Sequence, residues 1–345
     1  MELGARKQQI VSAIVDAYIR TGEPIGSKAL VFALDHAVSS ATIRNDMADL
    51  AAAGFLAQPH TSAGRVPTAK AFRFYIDRLL ACRPLSETCQ REIDEVLGTA
   101  SADPEKLIAV ASELLANETG VAAIAATPDQ KGSTVRQIEL LHLGARTAAV
   151  LLMTDNGNLH SRVSRLDAEC DPAILAQITE HLNREFAGKA LSEIGVAQAQ
   201  RLLVQLGGYG LSYAPLLTAF VDLVRESAQA DVRLSGQLNL LQHPDYPLDQ
   251  ARSLLSLLSR REWLNGMLTA HPDGLRVVLG SESQRPELSG SCIIMTRYSL
   301  GDRANGSLGL IGPVRMDYAQ TIPRLQYVAQ SVGRLLTQLF EECNG

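Results

Sequence analysis

Aromatic side chains are scarce: Phe, Trp and Tyr make up 5% of the 345 residues, so aliphatic groups must fill whatever cores the chain builds. No run of eighteen uncharged apolar residues occurs, and the N-terminus lacks the charged-then-apolar pattern of a secretory signal. No membrane span is therefore expected, and the protein reads as cytoplasmic. The five cysteines, Cys82, Cys89, Cys170, Cys292 and Cys343, are scattered and form no Cys-x-x-Cys, which argues against both a disulfide framework and a zinc site. There is no His-x-x-x-His pair, no Walker-type Gly-Lys-Ser/Thr and no complete Gly-x-Gly-x-x-Gly. These absences leave no catalytic residue, metal or cofactor to nominate, and an enzyme is not expected.

What is present suits a soluble globular chain of two or three compact units, with 46% hydrophobic and 20% charged residues. The net charge of −5 is unevenly spread. Residues 1–80 carry nine Lys/Arg and seven Asp/Glu, whereas residues 81–345 carry 23 and 30. A mildly basic head on an acidic body is compatible with nucleic-acid contact confined to the head.

Within that head, Ile10, Val11, Ile14, Val15, Tyr18 and Ile19 form one apolar stripe, predicting an amphipathic helix that Gly22 and Pro24 end. Ser27 reads as the N-cap of a short second helix from Lys28 to about Leu34. A third helix follows a brief turn, with Ser39 or Ser40 at its cap and Gly54 as its stop. Its Ile43, Met47 and Leu50 recur at i, i+4 and i+7 and face a core. The other side presents Ser40, Thr42, Arg44 and Asn45 near the helix N-terminus. Arginine bonds guanine bidentately, asparagine does the same to adenine, and hydroxyls reach phosphates. An ordinary solvated helix face has a similar composition, so this helix alone does not decide. A short strand at Phe55–Ala57, turn residues from Gln58 to Gly64 and a return at Arg65–Pro67 then complete a winged helix-turn-helix pattern. His60, Thr61, Ser62 and Arg65 fall on the wing, where His60 reads equally as a plain loop residue. Thr68 caps a fourth helix that Pro84 ends.

Three long stretches, Tyr18–Lys28, Ser39–Met47 and Gln58–Thr68, closely resemble the N-terminal signature of HrcA repressors. The resemblance continues in 235–241, in Gly280-Ser281-Glu282 and in 309–318. It implies a winged-helix head, a GAF-like domain and an inserted dimerisation domain. It further implies a homodimer on double-stranded DNA at a CIRCE-type inverted repeat before chaperone genes, and a GroE-type chaperonin as partner. On this reading the DNA-binding residues are Ser27, Lys28, Ser40, Thr42, Arg44, Asn45, His60, Thr61, Ser62 and Arg65. A ligand-sensing regulator with the GAF-like domain as receptor is the alternative.

The body supports the same division by pattern. Helices are expected within 85–118, the second opened by Asp103-Pro104. Strands are expected at 120–126, 135–143, 147–154 and 159–166, the last two meeting across Asn156-Gly157. Asp171-Pro172 opens a helix to about Ala187, and 190–270 is mostly helical, with a strand pair around Gly236. Strands return at 275–279, 292–298 and 306–312. The last helix either starts near Thr321 or kinks at Pro323. Arg315 and Asp317 suggest an ion pair or a helix cap. The expected architecture is α+β and multidomain: a head at 1–84, and a GAF-like domain at 85–345 interrupted at about 165–245 by a mainly helical insertion.

Overall fold

The computed structural model describes residues 3–34, 39–60, 63–127, 132–155, 158–205, 210–269, 274–300 and 304–344. The chain divides into two units, one built from 1–127 with 232–345 and the other from 128–231.

The first unit opens with α1 (Ala5–Thr21), whose Ile10, Val11, Ile14 and Val15 are fully buried and whose end is set by Gly22 at φ 70°. Then come α2 (Ser27–Ala33), α3 (Ser40–Ala52) and a two-stranded antiparallel hairpin, β1 (Leu56–Ala57) with β2 (Val66–Pro67). Thr68 caps α4 (Ala69–Phe74), which runs into a wider π turn over Tyr75–Leu79. Ser86 and Asp103 cap α5 (Glu87–Gly98) and α6 (Pro104–Thr119) through their side-chain oxygens.

These helices lead into an antiparallel sheet of five strands in the order β7-β3-β10-β9-β8. Its members are β3 (Ala122–Ala126), β7 (Val232–Ser235), β8 (Arg276–Leu279), β9 (Ser291–Leu300) and β10 (Ala304–Pro313). The long helix α13 (Tyr318–Asn344) lies over β9 and packs on α5 and α6. One apolar cluster runs without interruption from Ile10, Ile43 and Leu50 in the head to Leu310, Leu325 and Val332 in the core. The head expected as a separate domain at 1–84 thus shares its interior with the sheet.

The second unit holds β4 (Val135–Gly144), β5 (Thr147–Thr154) and β6 (Leu159–Arg165) in one antiparallel sheet, with α7 (Pro172–Phe186), α8 (Val196–Gln205) and α9 (Gly210–Ser227). Ile138, Leu140, Val150 and Leu152 alternate onto the helix side, against Leu175, Ile178, Phe186, Leu216 and Phe220. Asn183 of α7 brackets the β4 backbone, accepting from Ile138 N at 2.9 Å and donating to Ile138 O at 2.7 Å.

Four expectations change. The inserted unit spans 128–231 rather than about 165–245, and it is mixed α/β rather than mainly helical, because β4–β6 pair with one another and not with the five-stranded sheet. The strand pair around Gly236 is one strand followed by α10 (Gln237–Gln242). There Gly236 takes φ 70°, and a Cβ would sit 2.6 Å from that of Ala116. After it come α11 (Leu248–Leu258) and α12 (Arg261–Thr269). The last helix begins at Tyr318 and takes Pro323 into its second turn. Of the two readings of Arg315 and Asp317, the helix cap holds: Asp317 accepts from Gln320 N at 3.2 Å, whereas Arg315 pairs with Asp245. The Asn156-Gly157 turn lies outside the described residues.

Candidate nucleic-acid interface

The third helix is anchored on one side and open on the other. Ile43 and Leu50 are fully buried and Met47 nearly so, whereas Arg44 and Asn45 are exposed. Ser39 is its N-cap: the side chain accepts from Thr42 N at 3.2 Å and shares a 2.9 Å hydrogen bond with the Thr42 hydroxyl. The helix therefore begins with ordered amides and a positive dipole end beside the exposed pair.

Two acids on α3 are neutralised from α1. Asp46 is buried and accepts from Arg6 Nε at 2.7 Å and Nη2 at 3.1 Å; Lys7 Nζ lies 2.8 Å from Asp49. The Asp46 hydrogen bond, followed by its charge, raises the Arg6 pKa. This pairing stiffens the angle between α1 and α3 and keeps two carboxylates from facing outward unpaired. Forty positions separate Arg6 from Asp46 and 42 separate Lys7 from Asp49, so no sequence pattern announces the contacts.

Ser27 corrects the expected cap. Gly26 occupies the N-cap of α2, and Ser27 is buried with its hydroxyl 3.0 Å from that of half-buried Ser40. That bond ties α2 to α3, so the Ser27 side chain supports the face from behind instead of lying on it. Lys28 is exposed next to it.

The hairpin is fastened to the α1–α2 turn. Ile25 and Arg65 exchange two backbone hydrogen bonds of 2.9 Å, and the chain comes so close at Gly64 that an added Cβ would lie 2.5 Å from Ile25 O. Gln58 Nε2 donates to Ala63 O at 3.3 Å across the hairpin end. His60 is exposed and Arg65 half-buried, while Thr61 and Ser62, expected on the same wing, lie outside the described residues, as do 35–38 between α2 and α3. The Thr68 hydroxyl reaches Gly54 O at 2.7 Å and Phe55 O at 3.0 Å, joining the hairpin to α4.

From α4 the head is bolted to the α/β core. Arg73 grips Glu282 with Nε at 2.9 Å and Nη2 at 2.5 Å and also donates to Val277 O at 2.9 Å. Partial burial opposes the Glu282 charge, but the Arg73 hydrogen bond, the Leu279 amide and the Arg73 charge outweigh it and hold the carboxyl below its usual range. Tyr75 donates to Asp16 at 2.5 Å, and burial followed by that contact pushes the phenol well above its ordinary value.

Among the described residues, no group of three or more His, Cys, Asp or Glu is placed to hold a metal ion, and no helix is long and apolar enough to cross a membrane.

A family model described as "HrcA protein C terminal domain" matches residues 105–322. A heat-inducible transcription repressor HrcA from Clostridium botulinum (strain Alaska E43 / Type E3) is 31% identical over 339 residues, 97% of this chain and 98% of that protein. The protein of the same name from Geobacter sulfurreducens is 33% identical over 341 residues, 97% of this chain and 98% of that one. A crystal structure described as a hypothetical protein shares the fold at TM-score 0.62 and 22% identity, covering 98% of this chain and 100% of that one.

Proposed function

The chain belongs to the HrcA family of heat-inducible transcription repressors, and we propose that it represses by setting a winged helix-turn-helix head on double-stranded DNA. One observation carries the reading: α3 buries Ile43, Met47 and Leu50 while Arg44 and Asn45 project from its free side, just beyond a capped N-terminus. Arg44 reads guanine and Asn45 reads adenine in the major groove, and Ser40, Thr42 and Lys28 contact the adjoining phosphates. His60, Thr61, Ser62 and Arg65 meet the backbone or the minor groove from the wing. Ser27 acts through Ser40. The repressor needs no cofactor or catalytic group for this task, and its work on chromosomal DNA places it in the cytoplasm.

The five-stranded sheet with its helices is the GAF-like domain, and the 128–231 unit inserted between β3 and β7 is the dimerisation domain. Support for self-association comes from the outer side of the β4–β6 sheet, where Leu141, Leu159 and Val163 are 44%, 58% and 64% exposed. A two-fold dimer demands a palindromic site, in line with a CIRCE-type inverted repeat before chaperone genes. A GroE-type chaperonin assists the chain to its active form.

Gel-shift titration against the inverted repeat and a scrambled duplex, at one salt concentration, tests the assignment. Arg44→Ala loses roughly 1–3 kcal/mol of discrimination, about 5- to 150-fold. Arg65→Ala weakens both duplexes alike and lowers the salt slope by about 1. An Arg44→Ala protein that keeps full operator preference removes α3 from base reading.

A further inference from the structure

Where the C-terminal end of α1 meets the start of α13, Arg20, Arg315, Arg324 and His243 line one half-open cavity of about 360 Å³, together with Glu118 and Asp317. We propose that this cavity binds a small oxyanion, the size of a phosphate or a short dicarboxylate, which bridges the head to the α/β core.

Some of these charges are already engaged. Arg315 pairs with Asp245 and donates from Nη1 to Ile19 O at 3.3 Å. Asp317 accepts from Gln320 N at 3.2 Å and Gln320 Nε2 at 2.8 Å, so amide donors and the α13 dipole hold its charge without a guanidinium. Glu118 is left facing two cations. Arg20 has no ion-pair partner among the described residues. Arg324 donates from Nη1 to Gln320 O and Oε1, but its Nε is buried without a hydrogen bond among the described residues. Glu118 Oε2 stands 3.5 Å from that Nε and is 44% exposed. A guanidinium N–H withdrawn from water with only a carboxylate oxygen 3.5 Å away, and no hydrogen bond, is a costly arrangement, and an incoming oxygen relieves it.

The imidazole adds a donor without adding charge. His243 Nδ1 accepts from Asp245 N at 3.2 Å, which leaves the proton of the neutral ring on Nε2. Burial, joined by the Arg315 charge and opposed by Asp245, favours that neutral ring. Operator phosphates are not the intended occupant: Arg20 lies fourteen residues along α1 from Arg6, the residue that grips α3. At 1.5 Å per residue the two are about 21 Å apart.

Isothermal titration calorimetry on the full chain without DNA tests the site, with inorganic phosphate and malonate as separate titrants at constant ionic strength. One saturable event per chain is expected, weakened at least about tenfold by Arg20→Gln and by Arg324→Gln and unchanged by Arg91→Gln on α5. The stronger titrant identifies the phosphate or the carboxylate class. Phosphate also stabilises folded proteins through exclusion from their surfaces, an effect that does not saturate. Heats or melting shifts that grow linearly with titrant, that chloride reproduces, or that are equal in wild type and both variants overturn the proposal. Arg20 is exposed, so Arg20→Gln keeps the test decisive if Arg324→Gln fails to fold.

Discussion

Replacing Gly64 with alanine tests a close approach that holds the β1–β2 hairpin in place. The new Cβ would stand 2.5 Å from Ile25 O and 2.6 Å from Ile25 C, both backbone atoms. Carbon contacts settle near 3.5–4.0 Å, so the two segments must part by roughly 1 Å. The bonds in the way are Ile25 N to Arg65 O and Arg65 N to Ile25 O, each 2.9 Å. Losing both costs about 1–3 kcal/mol, and with residual strain we expect about 2–3 kcal/mol overall. For a unit of this size that lowers Tm by roughly 4–12 °C. Calorimetry reads the shift, and hydrogen exchange at the Ile25 and Arg65 amides reads its location. Gly98→Ala serves as the contrast: it closes α5, a Cβ there meets nothing within 4 Å, and alanine should hold or raise stability by about 0.5 kcal/mol. A Gly64→Ala protein that melts with the wild type and keeps both amides protected would refute the reasoning.

Acid should loosen the contact between α4 and the core. Glu282 has a depressed pKa, so its contribution is complete at neutral pH and disappears as pH falls through its folded value, below the ordinary glutamate range near 4.5. With Arg73 29% and Glu282 42% exposed, solvent screening limits the pair to about 0.5–1 kcal/mol. Glu282→Gln should therefore flatten the acid side of the stability profile, and an unchanged slope would dismiss the pair as its source. Thiol labelling should separate two cysteines: exposed Cys82 reacts in the native protein, whereas Cys292, fully buried and with its thiol pushed up to about 12 by burial, waits for unfolding. Equal native rates would contradict the packing of β9.

Local chemistry made most of the elements legible. Apolar period, caps such as Asp103-Pro104 and Asp171-Pro172, and stops at Gly22 and Gly54 act within one turn of chain, and α1, α3, α6 and α7 follow them closely. The free side of α3 was legible for the same reason, since burying Ile43, Met47 and Leu50 turns Arg44 and Asn45 outward. Strand partners were not legible. Alternation in 135–165 predicts strands but not which sheet they join, and their closure on one another moved the insertion boundary back to 128. The close approach of Gly236 to Ala116, the Ser27–Ser40 bond and the Arg6–Asp46 pair depend on segments distant in sequence, and no spacing rule carries that information.

The continuous interior of the first unit bears on how heat could reach the N-terminal head. Phe72 of α4 lies against the Tyr318 ring at 6.4 Å, and Arg73, one residue on, is held by Glu282 beside β8. At the other end of α4, Thr68 bonds the carbonyls of Gly54 and Phe55, where α3 gives way to the hairpin. A displacement of α13 or of the 280–282 turn therefore pulls on α4, and through Thr68 on the junction between α3 and the β1–β2 hairpin. Native stability is a difference of about 5–15 kcal/mol between far larger opposing quantities, and local openings draw on less than the whole of it. Partial release of α13 would thus unseat the head while Ile43, Met47 and Leu50 still hold α3 together. If the head reads DNA as proposed, heat relieves repression at the seam between head and core, before the head itself unfolds.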